Sequence, residues 1–161
     1  MIVTKFPQGY LYGAFSDTTS QTPALANTPY PITMNTTDVV DGVYLGSPTS
    51  RVYFQKSAVY NIQFSLQLQS SNASTKVVAI WARINGTNVP NSATDITISG
   101  ANTQQVAAWN FMLPINAGQY FELVWSADST DVSLYHSPAI TSPYTRPAIP
   151  SVILTASQVN V

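Results

Sequence analysis

One histidine, seven carboxylates and six lysines and arginines are all that this 161-residue chain offers for acid–base or metal chemistry. Catalysis would require them to cluster. His136 has Asp128 and Asp131 close by in sequence, but Asp128-Ser129-Thr130-Asp131 has the composition of a turn. With no serine–aspartate set legible around it, His136 reads as a histidine satisfied by its own fold. Asp38 and Asp41 are oxygen donors of the kind calcium accepts, yet the Asp-x-Asp-x-Asp-Gly spacing is missing. A turn ahead of a strand is the expectation there. Glycoside hydrolysis needs two carboxylates across one cleft, and Glu122 is the sole glutamate. Gly118 lacks the glycine-rich spacing and the following helix of a phosphate loop. Without cysteine there is neither a disulfide framework nor a thiolate metal site. No catalytic residue, metal ligand or cofactor is expected, and an enzyme is not the reading. The remaining chemistry is adhesive. Nine tyrosines and three tryptophans could stack on sugar rings. Trp81, Trp109 and Trp125 lie among apolar neighbours in strand-like segments, however, which points to a core or a subunit interface.

Residues 58–69 are the clearest element that could position such groups. Tyr60, Ile62, Phe64, Leu66 and Leu68 alternate with Asn61, Gln63, Ser65, Gln67 and Gln69. A period of two means a β-strand with one face in a core. The other face carries amides and a hydroxyl but no charge, as suits a surface that meets another protein. Segments 76–85, 104–113 and 119–126 alternate too, and in 76–85 the second face carries Val77, Ala79, Trp81 and Arg83, so both sides are expected to be partly covered. Asn85-Gly86 signals a tight hairpin turn, and shorter strands are expected at 10–15, 43–45, 51–54, 96–98 and 132–136. The loop 137–150 holds four prolines and leads to a last strand at 151–155, placed to return beside the first. Many short strands and no helical stripe predict an all-β antiparallel sandwich, a jelly roll of about ten strands. The division expected is an N-terminal arm over 1–35, containing a first short strand, followed by a jelly-roll domain over 36–161.

Charged residues are 8% of the chain and the net charge is −1. The cations are scattered, so no nucleic-acid surface is expected. No apolar run is long enough for a membrane span or a signal peptide, so synthesis in the cytoplasm without a cleaved signal is expected. The sequons at Asn35, Asn72 and Asn85 read as chance in a chain this rich in Asn, Ser and Thr.

The order of five short patterns is distinctive. They are Tyr60-x-Ile62-x-Phe64-Ser65-Leu66-Gln67, Ile80-Trp81-x-Arg83-x-Asn85-Gly86, Pro90-x-Ser92, Ala117-Gly118-Gln119-Tyr120-Phe121-Glu122-Leu123-x-Trp125 and Pro150-Ser151-Val152-Ile153-Leu154. Together they resemble the C1q/TNF-like jelly-roll domains carried by tailed bacteriophages as virion proteins, with Gln119 where that family often has Asp. The resemblance implies a ten-stranded sandwich that assembles as a homotrimer. It implies that strands 58–69 and 119–126 share the inner sheet, with Gln63, Gln67, Tyr120, Glu122 and Val124 near the three-fold axis. Three copies of Glu122 there would repel one another. With no shaft or heptads ahead of the domain, the implied role is a capsid decoration (cement) protein on the virion surface, made in the bacterial host cytoplasm. Tyr10, Tyr12, Phe15 and the loop 20–31 would then touch the major capsid protein or a neighbour. A tail or fibre domain that recognises host-surface glycan is the alternative, and a free carbohydrate-binding sandwich is a third reading.

Overall fold

The alternating segment is the central strand of a sheet. In the computed structural model, which describes residues 9–159, thirteen strands form two antiparallel sheets and no helix occurs among the described residues. The first sheet, sheet A, contains β1 (Tyr12–Asp17), β3 (Thr36–Asp41), β6 (Ala58–Ser70), β10 (Gln104–Ile115) and β13 (Val152–Gln158) in the order β10-β6-β13-β1-β3. The short β12 (Val132–Leu134) extends it beside the end of β6. Sheet B contains β4 (Val43–Leu45), β5 (Val52–Phe54), β7 (Lys76–Ile84), β8 (Thr87–Asn88) and β11 (Tyr120–Ala127) in the order β4-β5-β11-β7-β8. To it are added β2 (Tyr30–Pro31) along β11 and β9 (Thr94–Ile98) along β7. The last strand does return beside the first: Tyr12 faces Ser157 and Asp17 faces Val152.

Thirteen strands replace the expected ten or so because two-residue pieces such as β2 and β8 are too short to leave a pattern. β3 was hidden for another reason. As an edge strand it is exposed along almost its whole length, so no alternation marks it, and Asp38 and Asp41 sit in this strand rather than in a turn. Between Ala14 and Phe15 the β1/β3 register shifts, since Ala14 pairs with Val39 and Phe15 with Thr37, which leaves Asp38 as the extra residue of a bulge.

The core lies between the sheets. Trp125, Tyr60, Phe15, Phe54 and Phe121 are its largest fully buried side chains. Tyr60, Ile62, Phe64, Leu66 and Leu68 all enter it, as their spacing predicts. Burying each such side chain contributes about 1.5–3 kcal/mol. Phe54 and Tyr60 meet across the sheets at 4.4 Å between ring centroids, and Phe64 meets Trp109 edge-on at 4.6 Å. Gly13 lets the two sheets close at one corner, because a Cβ there would lie 2.5 Å from the Val43 carbonyl oxygen and against the Phe15 ring. Asn85 and Gly86 take φ of 49° and 78°, the left-handed pair that a two-residue hairpin turn requires.

The expected arm is not separate from the sandwich. β1 lies between β13 and β3, Phe15 is fully buried, and Ile32 and Met34 also join the core. The part of the expected arm over residues 1–8 falls outside the described residues. The strand directions give the sandwich two poles. At one pole the described chain starts and ends: the Gln158 amide donates to the Leu11 carbonyl and the Val159 amide to the Val59 carbonyl. The turns at 55–57, 85–86 and 116–119 lie at the same pole. At the other pole are the end of β1, the loop 137–150 and the turns after β6 and β11.

Candidate functional site

The face of sheet A turned away from the core is built from three neighbouring strands. On β6 it presents Asn61, Gln63, Ser65 and Gln67. In register beside them stand Ser157, Thr155 and Ile153 of β13 on one side, and Met112, Asn110, Ala108 and Val106 of β10 on the other. No charged residue occurs anywhere in these three strands. Val106, Met112 and Ile153 are 54%, 53% and 41% exposed. Two shallow depressions flank Gln63. One of about 210 Å³ is lined by Ser65, Ile153 and Thr155, and one of about 290 Å³ by Ala108, Trp109 and Asn110. Asn110 Nδ2 donates to Asn61 Oδ1 at 3.1 Å, which orients two of the amides.

The two edges of this sheet differ. β3 carries two aspartates and a bulge, devices that keep an open edge from pairing with another chain. β10 presents twelve residues with no charge, and among the described strands none pairs its outer side. A long uncharged edge next to an uncharged face is a surface suited to being covered.

The expected axial residues are divided by the fold. Gln63 and Gln67 lie on this face. Tyr120, Glu122 and Val124 do not, because β11 pairs with β5 and β7 in the opposite sheet. Val124 is fully buried, flanked in register by Pro31 and Trp81, and Glu122 is only 5% exposed. Glu122 is committed within its own chain: its Oε1 accepts from Ser50 Oγ at 2.9 Å and stands 3.5 Å from Arg51 Nε. The anticipated repulsion of three Glu122 side chains therefore has no geometric basis. Alternation assigns a residue to a face of its strand, but only strand pairing assigns the strand to a sheet.

Arg51 gave no signal in the sequence beyond a place in a short strand, yet it organises the outward face of sheet B. Its guanidinium lies 4.5 Å from the centroid of the Tyr120 ring. The Tyr53 hydroxyl and, more weakly, Tyr120 and Glu122 raise its pKa further, so the cation is permanent. Tyr44, Tyr53 and Tyr120 stand in register on β4, β5 and β11. Their ring centroids are 5.8 Å and 5.4 Å apart along the row. Across β11, Glu122 faces Arg83, and Asn88 Oδ1 accepts from both Arg83 Nε and Trp81 Nε1 at 2.8 Å.

The expected capsid contacts are also separated. Tyr10 is 38% exposed at the pole where the described chain starts, and Tyr12 is half-buried. Phe15 lies in the core and cannot touch a partner. The loop 20–31 follows β1 and lies at the opposite pole, tied down where Gln21 pairs with Leu134 through both backbone groups. His136 Nδ1 donates to the Ile149 carbonyl at 2.9 Å, the satisfied role expected of it. Among the described residues no three acidic or histidine side chains converge.

The two sheets, their strand order and the return of the last strand beside the first define a C1q/TNF-type jelly roll. Among solved structures, that of Eiger TNF from S. frugiperda superposes with a TM-score of 0.57 at 10% identity, over 94% of this chain and 93% of the other. At that identity the likeness is one of fold. No protein-family model matches the chain, and no curated protein does.

Proposed function

We propose that this protein is a non-enzymatic jelly-roll module that works as a homotrimer, with the uncharged face of sheet A and the open β10 edge as its subunit interface. The observation that carries this reading is the contrast within one sheet: the β3 edge is protected by charge and a bulge, and the β10 edge is not. The depressions beside Gln63 would receive side chains of the neighbouring copy, and the amides of Gln63, Gln67 and Asn110 would exchange hydrogen bonds across the contact. Light scattering on purified protein should give three times the 17.4 kDa chain mass. A monomer at micromolar concentration would defeat the reading.

Within that reading, the order of strand motifs supports a decoration protein on the surface of a tailed-phage head, with the major capsid protein as its partner. A trimer that binds only the assembled shell stabilises it by mass action, and three attachment points raise avidity without large individual contacts. Residues near Tyr10 would supply contacts. Immunogold labelling of the source lysate tests this: label over whole heads supports decoration, and label confined to tail or fibre tips supports the receptor-binding alternative. Label on no particle overturns both.

A further inference from the structure

We propose that the outward face of sheet B, at the pole where the described chain starts and ends, binds an acidic saccharide, a sugar carrying a carboxylate. Three features point to this ligand class. The first is the tyrosine row. Tyr44, Tyr53 and Tyr120 come from adjacent strands spaced about 4.8 Å apart, so they form a strip the length of a short oligosaccharide. Tyr53 is set by close packing, since a Cβ on Gly46 would strike its ring, and Tyr44 at the end of the row is 40% exposed. Rings held in advance offer contact area at low entropic cost.

The second feature is a pair of arginines seated on rings. Arg51 lies over Tyr120 and Arg83 lies 5.7 Å from the Trp81 ring centroid. Arg83 Nε donates to Asn88 Oδ1 from behind, and Arg51 Nε stands 3.5 Å from Glu122 Oε1 as an ion pair without a hydrogen bond. The Arg51 side chain remains 35% exposed. A planar guanidinium fixed in this way suits a carboxylate, which it can bind through two parallel hydrogen bonds.

The third is charge balance. Of the described cations, Arg51, Arg83 and Lys56 all lie at this pole, whereas Lys76 is buried toward the other pole and Arg146 is tied to the carbonyls of Pro138 and Pro147. Among the described residues two carboxylates at this pole oppose them, Glu122 on this face and Asp41 at the end of β3. An aromatic strip with surplus positive charge and amides at its rim selects a ligand with apolar C–H faces, hydroxyls and one negative group. The site lies on the sheet opposite the proposed subunit interface, so its failure leaves the trimer reading intact.

The test is calorimetric titration and saturation-transfer NMR on the full chain, with sialyllactose and trigalacturonate as acidic probes, lactose as the neutral one and a short polyglutamate as the non-sugar anion. The expected result is saturable binding of at least one acidic sugar, at least about tenfold tighter than lactose or polyglutamate. Tyr44→Ala and Arg83→Gln should each weaken it by about tenfold, and Tyr44→Phe should retain most of it, with unchanged circular dichroism for all three variants. No saturable binding, equal binding of lactose or polyglutamate, or full binding by both weakened variants would overturn the proposal.

Discussion

In the proposed trimer, replacing Ile153 by Asp should give a folded monomer. Ile153 points outward from β13, beside Ser65, and contributes to a wall of one of the depressions next to Gln63. Its 41% exposure leaves roughly 70 Å² of apolar surface in water in the single chain, worth about 2 kcal/mol per copy if the neighbour covers it. Asp forfeits that gain and adds a carboxylate that must be desolvated without a partner, a penalty of several kcal/mol. No cation in β6, β10 or β13 stands ready to pair with it. Over three copies the loss exceeds about 6 kcal/mol, four orders of magnitude or more in the assembly constant. In the monomer the same Asp faces water and costs about 1 kcal/mol of strand propensity at most. Light scattering across a concentration series should show one chain mass, while circular dichroism retains the β signature. Ile153→Ala should weaken assembly without abolishing it. A trimer of unchanged affinity in Ile153→Asp would show that this face is not the interface.

Other substitutions probe the interior. Glu122→Gln keeps the Ser50 contact but loses the attraction to Arg51, so the urea midpoint should fall by the equivalent of about 1 kcal/mol, the modest value expected when one partner is a third exposed. Gly13→Ala places a methyl against the Val43 carbonyl and the Phe15 ring and should cost about 1–3 kcal/mol in the same measurement. Tyr60 is fully buried, and desolvation raises its phenol above the ordinary 10.0. The folded state therefore holds this proton more tightly than the unfolded state. The resulting stability is complete below about pH 10 and is lost as pH rises through the folded pKa. Urea melts at pH 8 and near pH 11 should show that loss, and Tyr60→Phe should reduce it, at a cost of about 1 kcal/mol at neutral pH for the missing bond to the Lys56 carbonyl.

Local pattern was enough to determine the fold class and the faces of the long strands. The period of two in β6 is a property of the extended backbone itself, so Tyr60, Ile62, Phe64, Leu66 and Leu68 could be placed in the core and Gln63 and Gln67 outside it without knowing any neighbour. The hairpin at Asn85-Gly86 was legible for the same reason, since few residue pairs tolerate its backbone angles. What the tertiary structure alone decided was partnership. Glu122 looks like an outward residue on an alternating strand, and it is, but its strand belongs to sheet B and its carboxylate is held by Ser50 and Arg51, 72 and 71 positions earlier in the chain. Phe15 looked like part of an arm because only pairing with β13, at the far end of the sequence, makes its segment an internal strand. Side-chain alternation is dictated residue by residue, whereas sheet membership depends on contacts between distant segments whose closure entropy and packing no short window records.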